Sequence, residues 1–263
     1  PVDRWRFEGS QASKLTWGQN LGSVSTPAGF PYYSGFSSSS AYSLTSTDYF
    51  LFYQYIEGNN IADLGWGTAS AATVTLSFWV RSSLTGTFGG SLLNWAGNYS
   101  YPFTYTISAA NTWEYKTVTV VGPTAGTWAG ATNAGALQLY FSLGTGSTYS
   151  GTAGSWSGNY YLSTTSTTSV VGTSGATWYI TGVQLEKGST ASSFEWRPYT
   201  TELQLCQRYY NKSYSIDVVP GTNQYAGSQR TISSAGGAII NFTFPAEMRA
   251  IPTITPYSVG GTS

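Results

Sequence analysis

The chain of 263 residues contains no histidine, one cysteine and one methionine, and only 8% of it is charged. Without histidine there is no Ser-His-Asp or Cys-His relay, and the commonest zinc ligand is missing. A single cysteine, Cys206, excludes an intrachain disulfide framework and a cysteine-rich metal site. It reads as a small packed hydrophobe on a helix face. The 11 basic and 11 acidic residues cancel and form no basic stripe, so no nucleic-acid partner is expected. No stretch approaches the roughly 18 apolar residues of a membrane-spanning helix, so no membrane insertion is expected. The opening Pro1-Val2-Asp3-Arg4-Trp5 lacks the apolar core of a signal peptide. There is no initiating methionine, and Gly260-Gly261-Thr262-Ser263 reads as a loop, so the sequence is expected to be part of a longer polypeptide.

Carboxylates are the chemistry left over. Glycoside hydrolysis needs two of them across the scissile bond. The spacing of Asp3, Glu8, Asp48, Glu57, Asp63, Glu114, Glu186, Glu195, Glu202, Asp217 and Glu247 nominates no pair. No catalytic residue, cofactor or metal site is therefore expected.

Aromatics make up 16% of the chain, with 21 tyrosines and 10 tryptophans, alongside 31 glycines. Thr and aromatic side chains fit a pleated, half-buried surface, whereas disordered chains are aromatic-poor and highly charged. Clean period-two alternation runs through residues 73–81, where Val74, Leu76, Phe78 and Val80 face one way and Thr75, Ser77, Trp79 and Arg81 the other. Leu137, Leu139, Phe141 and Leu143 repeat the pattern, and residues 4–8, 101–108, 113–121 and 178–186 read as further strands. Residues 48–57 are apolar on both faces, as in a central strand covered on both sides or one whose outer face carries a ligand or neighbour. Residues 29–40 read as loop or edge, and 144–174 as a long Gly/Ser/Thr/Tyr loop of the kind that is functional or docked on something. Thr201 and Gln204 can form a capping box opening a helix to about Lys212, with Leu203, Cys206 and Tyr210 on one buried face. Residues 214–219, 229–233, 237–244 and 251–257 read as strands of a small β unit too short for a full core of its own. The fold expected is all-β: an antiparallel jelly-roll β-sandwich (1–199), a connecting helix (200–213) and a second small β unit (214–263).

Several segments carry a family resemblance. DRWRF at 3–7, the long run 55–83, YTISAANTWEYKTVTV at 105–120, ITGVQLE at 180–186, FEWRPY at 194–199 and ELQLCQRYY at 202–210 resemble a module of tailed-bacteriophage and prophage structural proteins. Beyond Tyr210, NFTFPAEMRAIPTITPY at 241–257 is similar to C-terminal segments of the same kind. The resemblance implies a carbohydrate-binding-like jelly roll in a tail fibre, tail spike or head appendage, exposed on the virion. It implies other virion proteins as partners and host-surface glycans as the ligand. A capsid decoration or cement role without sugar binding is the first alternative. A carbohydrate-binding module of a secreted glycosidase is the second. Such modules often carry an acid for structural calcium in the last strand, where this chain has Thr181-Gly182, so the resemblance does not extend to that site. Aromatics exposed on both faces of 49–57 and the incomplete C-terminal unit point to a homo-oligomer, taken as a trimer.

Sugar rings stack their C–H faces on Trp and Tyr, and polar side chains satisfy their hydroxyls. Trp79 and Arg81, Tyr140 and Tyr179 fall on the outward positions of strands and are candidate glycan contacts. Trp95 and Tyr99, with Asn98 and Tyr101, and Trp156, with Asn159, Tyr160 and Tyr161, are loop candidates. Each could instead pack against a second layer or another protomer, where Tyr and Trp are also enriched. Trp5, Trp113 and Trp178 are expected in the core or sealing a layer.

Overall fold

The computed structural model of the protein describes residues 5–215, 218–222 and 243–257. The chain forms two compact units, Pro1–Glu195 and Trp196–Ser263.

Alternating strands build two five-stranded sheets in the first unit. One sheet has the order β1 (Trp5–Gly9), β4 (Tyr49–Glu57), β9 (Gly135–Thr145), β6 (Gly86–Asn94), β7 (Ser100–Ile107). The other has β2 (Leu15–Gln19), β3 (Ser34–Ser38), β12 (Thr177–Lys187), β5 (Val74–Ser82), β8 (Glu114–Val120). Every pairing within them is antiparallel, and the chain crosses repeatedly from one sheet to the other. The result is the expected all-β sandwich of the jelly-roll kind. The inward positions of both sheets meet in one core: Phe50 and Phe52, Leu76, Phe78 and Val80, Leu139 and Phe141, and Trp178 and Ile180. Trp178 is fully buried, and its indole N–H donates to the Tyr105 hydroxyl at 3.1 Å. Trp5 seals the end of this core by stacking on Phe52 at 4.6 Å.

The two-sided strand has a two-sided burial. Outward of the core, Leu51 and Tyr53 of β4 form a second buried cluster with Leu93, Tyr140 and Leu162. Leu162 belongs to the long segment after β9, which folds back over this face. That segment is pinned by a short parallel pair, β10 (Ser150–Gly151) with β11 (Ser163–Thr164), and by a bridge between Ser100 and Ser157. The stretch expected to be docked on something is docked on its own sheet.

Two strands escape the sequence pattern because glycine serves close approach there. In β6, a Cβ on Gly90 would lie 2.3 Å from the Tyr140 carbonyl oxygen, and one on Gly89 would lie 2.4 Å from the Ser163 hydroxyl. In β3, a Cβ on Gly35 would come within 3.0 Å of both Leu21 and the Tyr179 ring. Residues 34–38, expected as loop or edge, therefore form an interior strand. β12 carries a bulge between Thr181 and Gln184, with Gly182 at φ 59°.

In the second unit, α1 spans Tyr199–Gln207. Pro198 occupies the N-cap position, and its carbonyl accepts from the Thr201 and Glu202 N–H groups. The expected capping box does not form, because the helix starts two residues before Thr201. It also ends earlier than Lys212. Leu203 and Cys206 are half-buried, while Tyr210 lies beyond the helix and is exposed, so the three do not share a buried face. Of the expected C-terminal strands, 229–233 and most of 237–244 fall outside the described residues. The described 218–222 and 243–257 run as turns and irregular chain.

Candidate functional site

The outer face of the β1-β4-β9-β6-β7 sheet concentrates tyrosine. Cross-strand register places Arg6, Tyr53, Tyr140 and Ser91 in one row and Tyr55, Gln138 and Leu93 in the next. Tyr53 and Tyr140 form the floor, 5% and 4% exposed, with ring centroids 5.2 Å apart. Around them runs a rim of pairwise contacts. The Arg6 guanidinium sits 5.4 Å over the Tyr55 ring, and Tyr55 meets Trp95 edge-on at 5.0 Å. Further along it Tyr160 meets Tyr149 at 5.8 Å, and Tyr149 meets Tyr49 at 5.9 Å. The Tyr49 and Tyr53 hydroxyls donate to the two Glu8 carboxylate oxygens at 2.9 and 3.1 Å. Trp95 and Tyr160 are the open rings of this rim, 47% and 43% exposed.

Both open rings are mounted on rigid parts. The side-chain carbonyl of Asn94 accepts from the Asn98 and Tyr99 N–H groups at 3.0 Å, and its amide donates to Asn98 and to the Thr127 carbonyl. This closes the turn that carries Trp95. Tyr160 lies over Gly97 in the same turn, where a Cβ would be 3.1 Å from the ring.

Phenol hydroxyls are the polar content of the floor. The Tyr140 hydroxyl donates to the Gln138 side-chain carbonyl at 2.6 Å, and the Gln138 amide donates to the Asn94 carbonyl. Burial, then the neighbouring phenols of Tyr160, Tyr55 and Tyr53, pushes the Tyr140 pKa far above its ordinary value. Burial likewise raises Tyr53, helped by Tyr55 and Glu8. The hydrogen bond to Glu8 pushes Tyr49 up to about 12. These hydroxyls therefore stay protonated at neutral pH and serve as donors.

The expected contacts separate into three places. Tyr140 and Trp95 join this face, the first as buried floor and the second as open rim. Trp79, Arg81 and Tyr179 lie on the outer face of the opposite sheet; Tyr179 is buried there against Tyr33 at 5.5 Å, while Trp79 and Arg81 are half-buried. Tyr99 and Trp156 stack on each other at 5.5 Å and 6° in a third group. Trp156 there also packs on Trp66, Trp128 and Tyr101, and its indole N–H donates to the Val121 carbonyl. A cavity of about 350 Å³ beside it is lined by Trp156, Tyr161, Ser150, Gly151, Thr152, Ser155, Ser157 and Thr165. Its two rings are already covered, Trp156 by Tyr99 and Tyr161 by Gly151, where a Cβ would come within 2.3 Å. Trp113, expected to seal a layer, is half-buried and anchors the residue 20–33 loop through its indole bond to the Ser25 carbonyl.

Tyr49, Tyr53, Tyr55 and Glu8 were not among the expected contacts. Their signal was present in the aromatic odd positions of 49–55. Nothing in the sequence showed that Glu8 would pair beside them.

No family model and no curated protein matches the sequence. Among solved structures, the chain is similar to the enzymatically active domain of tailspike protein 4 of bacteriophage CBA120, with a TM-score of 0.39 and 14% identity. That match covers 70% of this chain but only 19% of the tailspike domain. The carbohydrate-binding module TmCBM61 in complex with β-1,4-galactotriose is similar at a TM-score of 0.36 and 12% identity, over 70% of this chain and 88% of that one. The family 11 carbohydrate-binding module of the cellulosomal cellulase Lic26A-Cel5E of Clostridium thermocellum gives 0.34 and 12%, over 72% and 90%. These neighbours are mostly carbohydrate-binding modules, one match being to a phage tailspike. At TM-scores below 0.4 the likeness carries no argument about what this chain binds.

Proposed function

We propose that the chain is a non-enzymatic, glycan-binding part of a tailed-phage virion, a fibre, spike or head appendage that contacts the host surface. The observation that carries the sugar reading is the rim on the outer tyrosine face. Trp95 and Tyr160 each keep open ring surface on a rigid mount, beside protonated phenol donors, the Arg6 side chain and the Glu8 carboxylate. Apolar ring faces stack on sugar C–H groups, and the polar groups between them meet hydroxyls. The phage reading draws on the resemblance of the segments between Asp3 and Tyr210, and with it goes a position on the virion surface in a trimer with other virion proteins.

A non-catalytic role fits the acid content of the face. Glu8 is the acid among the floor and rim residues named above, and each of its oxygens accepts from a tyrosine hydroxyl. A hydrolase needs a second acid across the bond.

One stacked ring with a few hydrogen bonds corresponds to millimolar binding, about −4 kcal/mol. Three linked copies raise the apparent affinity without new contacts. The test is a glycan array and host-cell binding assay on the assembled protein, with Trp95→Ala and Tyr160→Ala as paired variants. Binding that falls in both at unchanged melting temperature supports the reading. Blank arrays for the assembled wild type favour capsid decoration or cementing instead. Light scattering that gives a stable monomer at micromolar concentration removes the trimer. The same rim would serve a secreted glycosidase module, and a catalytic domain encoded in the same gene would select that alternative.

A further inference from the structure

The opposite sheet carries a charged side chain that makes no hydrogen bond or ion pair with the described residues. Arg81 of β5 lies across from Tyr179 of β12, and Trp79, two residues earlier on the same face, lies across from Thr181 and from Tyr115 of β8. The Arg81 guanidinium carbon is 5.9 Å from the Tyr179 ring centroid. Its Nε is buried and has no hydrogen-bond partner, and it forms no ion pair among the described residues. Glu114, opposite Val80 in the register, is held by Lys116 and by the Ser108 and Ala109 N–H groups.

A guanidinium does not lose its charge in a protein, and a half-buried charge with no opposite charge beside it is costly. Such a group suits an anion that the chain itself does not supply. Nε is closed off beneath the surface, so the fork formed by the two terminal nitrogens is the edge that matches a carboxylate, which takes two parallel hydrogen bonds. A single cation flanked by aromatic rings suits one negative charge better than a phosphate dianion. Trp79 stands roughly 7 Å away along the strand. That is about the distance from the carboxylate of a hexuronic acid to the far side of its ring. Tyr115, 44% exposed and 5.4 Å from Trp79, extends the platform. The mount is rigid, because Gly35 lets Tyr179 lie against the sheet while Tyr33 and Trp113 brace it at 5.5 and 6.4 Å.

We propose that this face is a second saccharide site, selective for an acidic sugar, in which Arg81 receives the carboxylate and Trp79 stacks on the ring. It is independent of the rim that contains Trp95.

The experiment is an NMR titration of the isotope-labelled full chain, following the Trp79 indole and Arg81 Nε–H signals. Glucuronic acid is the probe, glucose its neutral counterpart, and acetate and inorganic phosphate the bare anions. Glucuronate is expected to shift both signals saturably in the millimolar range, glucose to leave them in place, and both bare anions to act only at higher concentration. Arg81→Gln and Trp79→Ala should each weaken glucuronate by at least about tenfold. Arg81→Lys, which keeps the charge and loses the fork, should weaken it as well. Trp95→Ala should leave it unchanged, which separates this site from the rim. Equal shifts with glucose, full affinity in Arg81→Gln, acetate or phosphate as effective as glucuronate, or loss in Trp95→Ala would each overturn the proposal.

Discussion

The indole of Trp95 rests directly on the backbone of Gly135, where an added Cβ would come within 2.2 Å of the ring. The Trp95 N–H donates to the Ala136 carbonyl at the same place, so the start of β9 fixes the most exposed aromatic of the rim. Gly135→Ala is expected to push the indole off its seat and lower glycan affinity as far as Trp95→Ala does. Because the ring can swing into solvent, the stability cost should stay near 1 kcal/mol. The Trp95 indole resonance, read alongside affinity and melting temperature, checks the displacement.

Trp156 and Trp95 should respond in opposite ways. Trp156 is held by four aromatic neighbours and a hydrogen bond to Val121, whereas Trp95 has 47% of its surface open. Trp156→Ala should cost roughly 3 kcal/mol, the low end for truncating a packed aromatic. In a unit of this size that is a fall of about 6–12 °C in melting temperature. Trp95→Ala should move melting little and binding strongly. A thermally silent Trp156→Ala that loses binding would make Trp156 a ligand contact.

Tyr140→Phe deletes one oxygen atom from the floor. It leaves the Gln138 side-chain carbonyl without its donor in a buried place, at a cost of about 1–3 kcal/mol. The rim rings stay in position, so weakened binding would show that the floor donors reach the ligand. Calorimetry on the variant separates the two effects, and unchanged affinity would restrict the ligand to the rim.

Much of the sandwich was legible in the alternation itself, as in Leu76, Phe78 and Val80 or Leu139 and Phe141. Strands β3 and β6 were hidden because Gly35, Gly89 and Gly90 resemble turn residues in sequence, while in space they admit a neighbouring backbone or ring. The apolar odd positions of β4 announced a covered outer face but not what covers it. That depends on where the segment with Leu162 lands, a contact more than 100 residues away in the chain. Trp79 and Tyr140 looked equivalent as outward strand aromatics. Only the strand order shows that they occupy opposite sheets, and only the overlying segment shows that one of them is buried.

Asp48 predicts an acid-sensitive joint between β1 and β4. Its carboxylate accepts from the Ser10 hydroxyl at 2.7 Å, the Tyr42 hydroxyl at 2.9 Å, and the Thr45 N–H and hydroxyl at 2.8 and 2.7 Å. The Ser10 bond first, then those from Thr45, holds its pKa well below the usual carboxylate range, against the opposing effect of burial. The folded pKa thus lies below the unfolded value of about 3.9. The stabilisation is complete above that value and is lost as pH falls through the folded pKa. Wild-type melting temperature should fall between about pH 5 and about pH 2. Asp48→Asn should melt lower at neutral pH and change less over the same window. Glu114 and Glu186, also lowered, leave a residual slope. Parallel curves for the two proteins would remove Asp48 from the acid response.

The rim is contributed by separate lengths of chain. Tyr55 and Tyr49 belong to a central strand, and Trp95 to a turn sealed by asparagine. Tyr149 and Tyr160 come from the returning segment between β9 and β12. The main core does not draw on Tyr160 at all. Substitutions at Tyr149 and Tyr160 would therefore reshape part of the rim while the sandwich stays as it is, whereas Leu162, Val170 and Val171 tie the rest of that segment to the buried clusters. The rim of such a protein can diversify ring by ring, with the scaffold carried along unchanged.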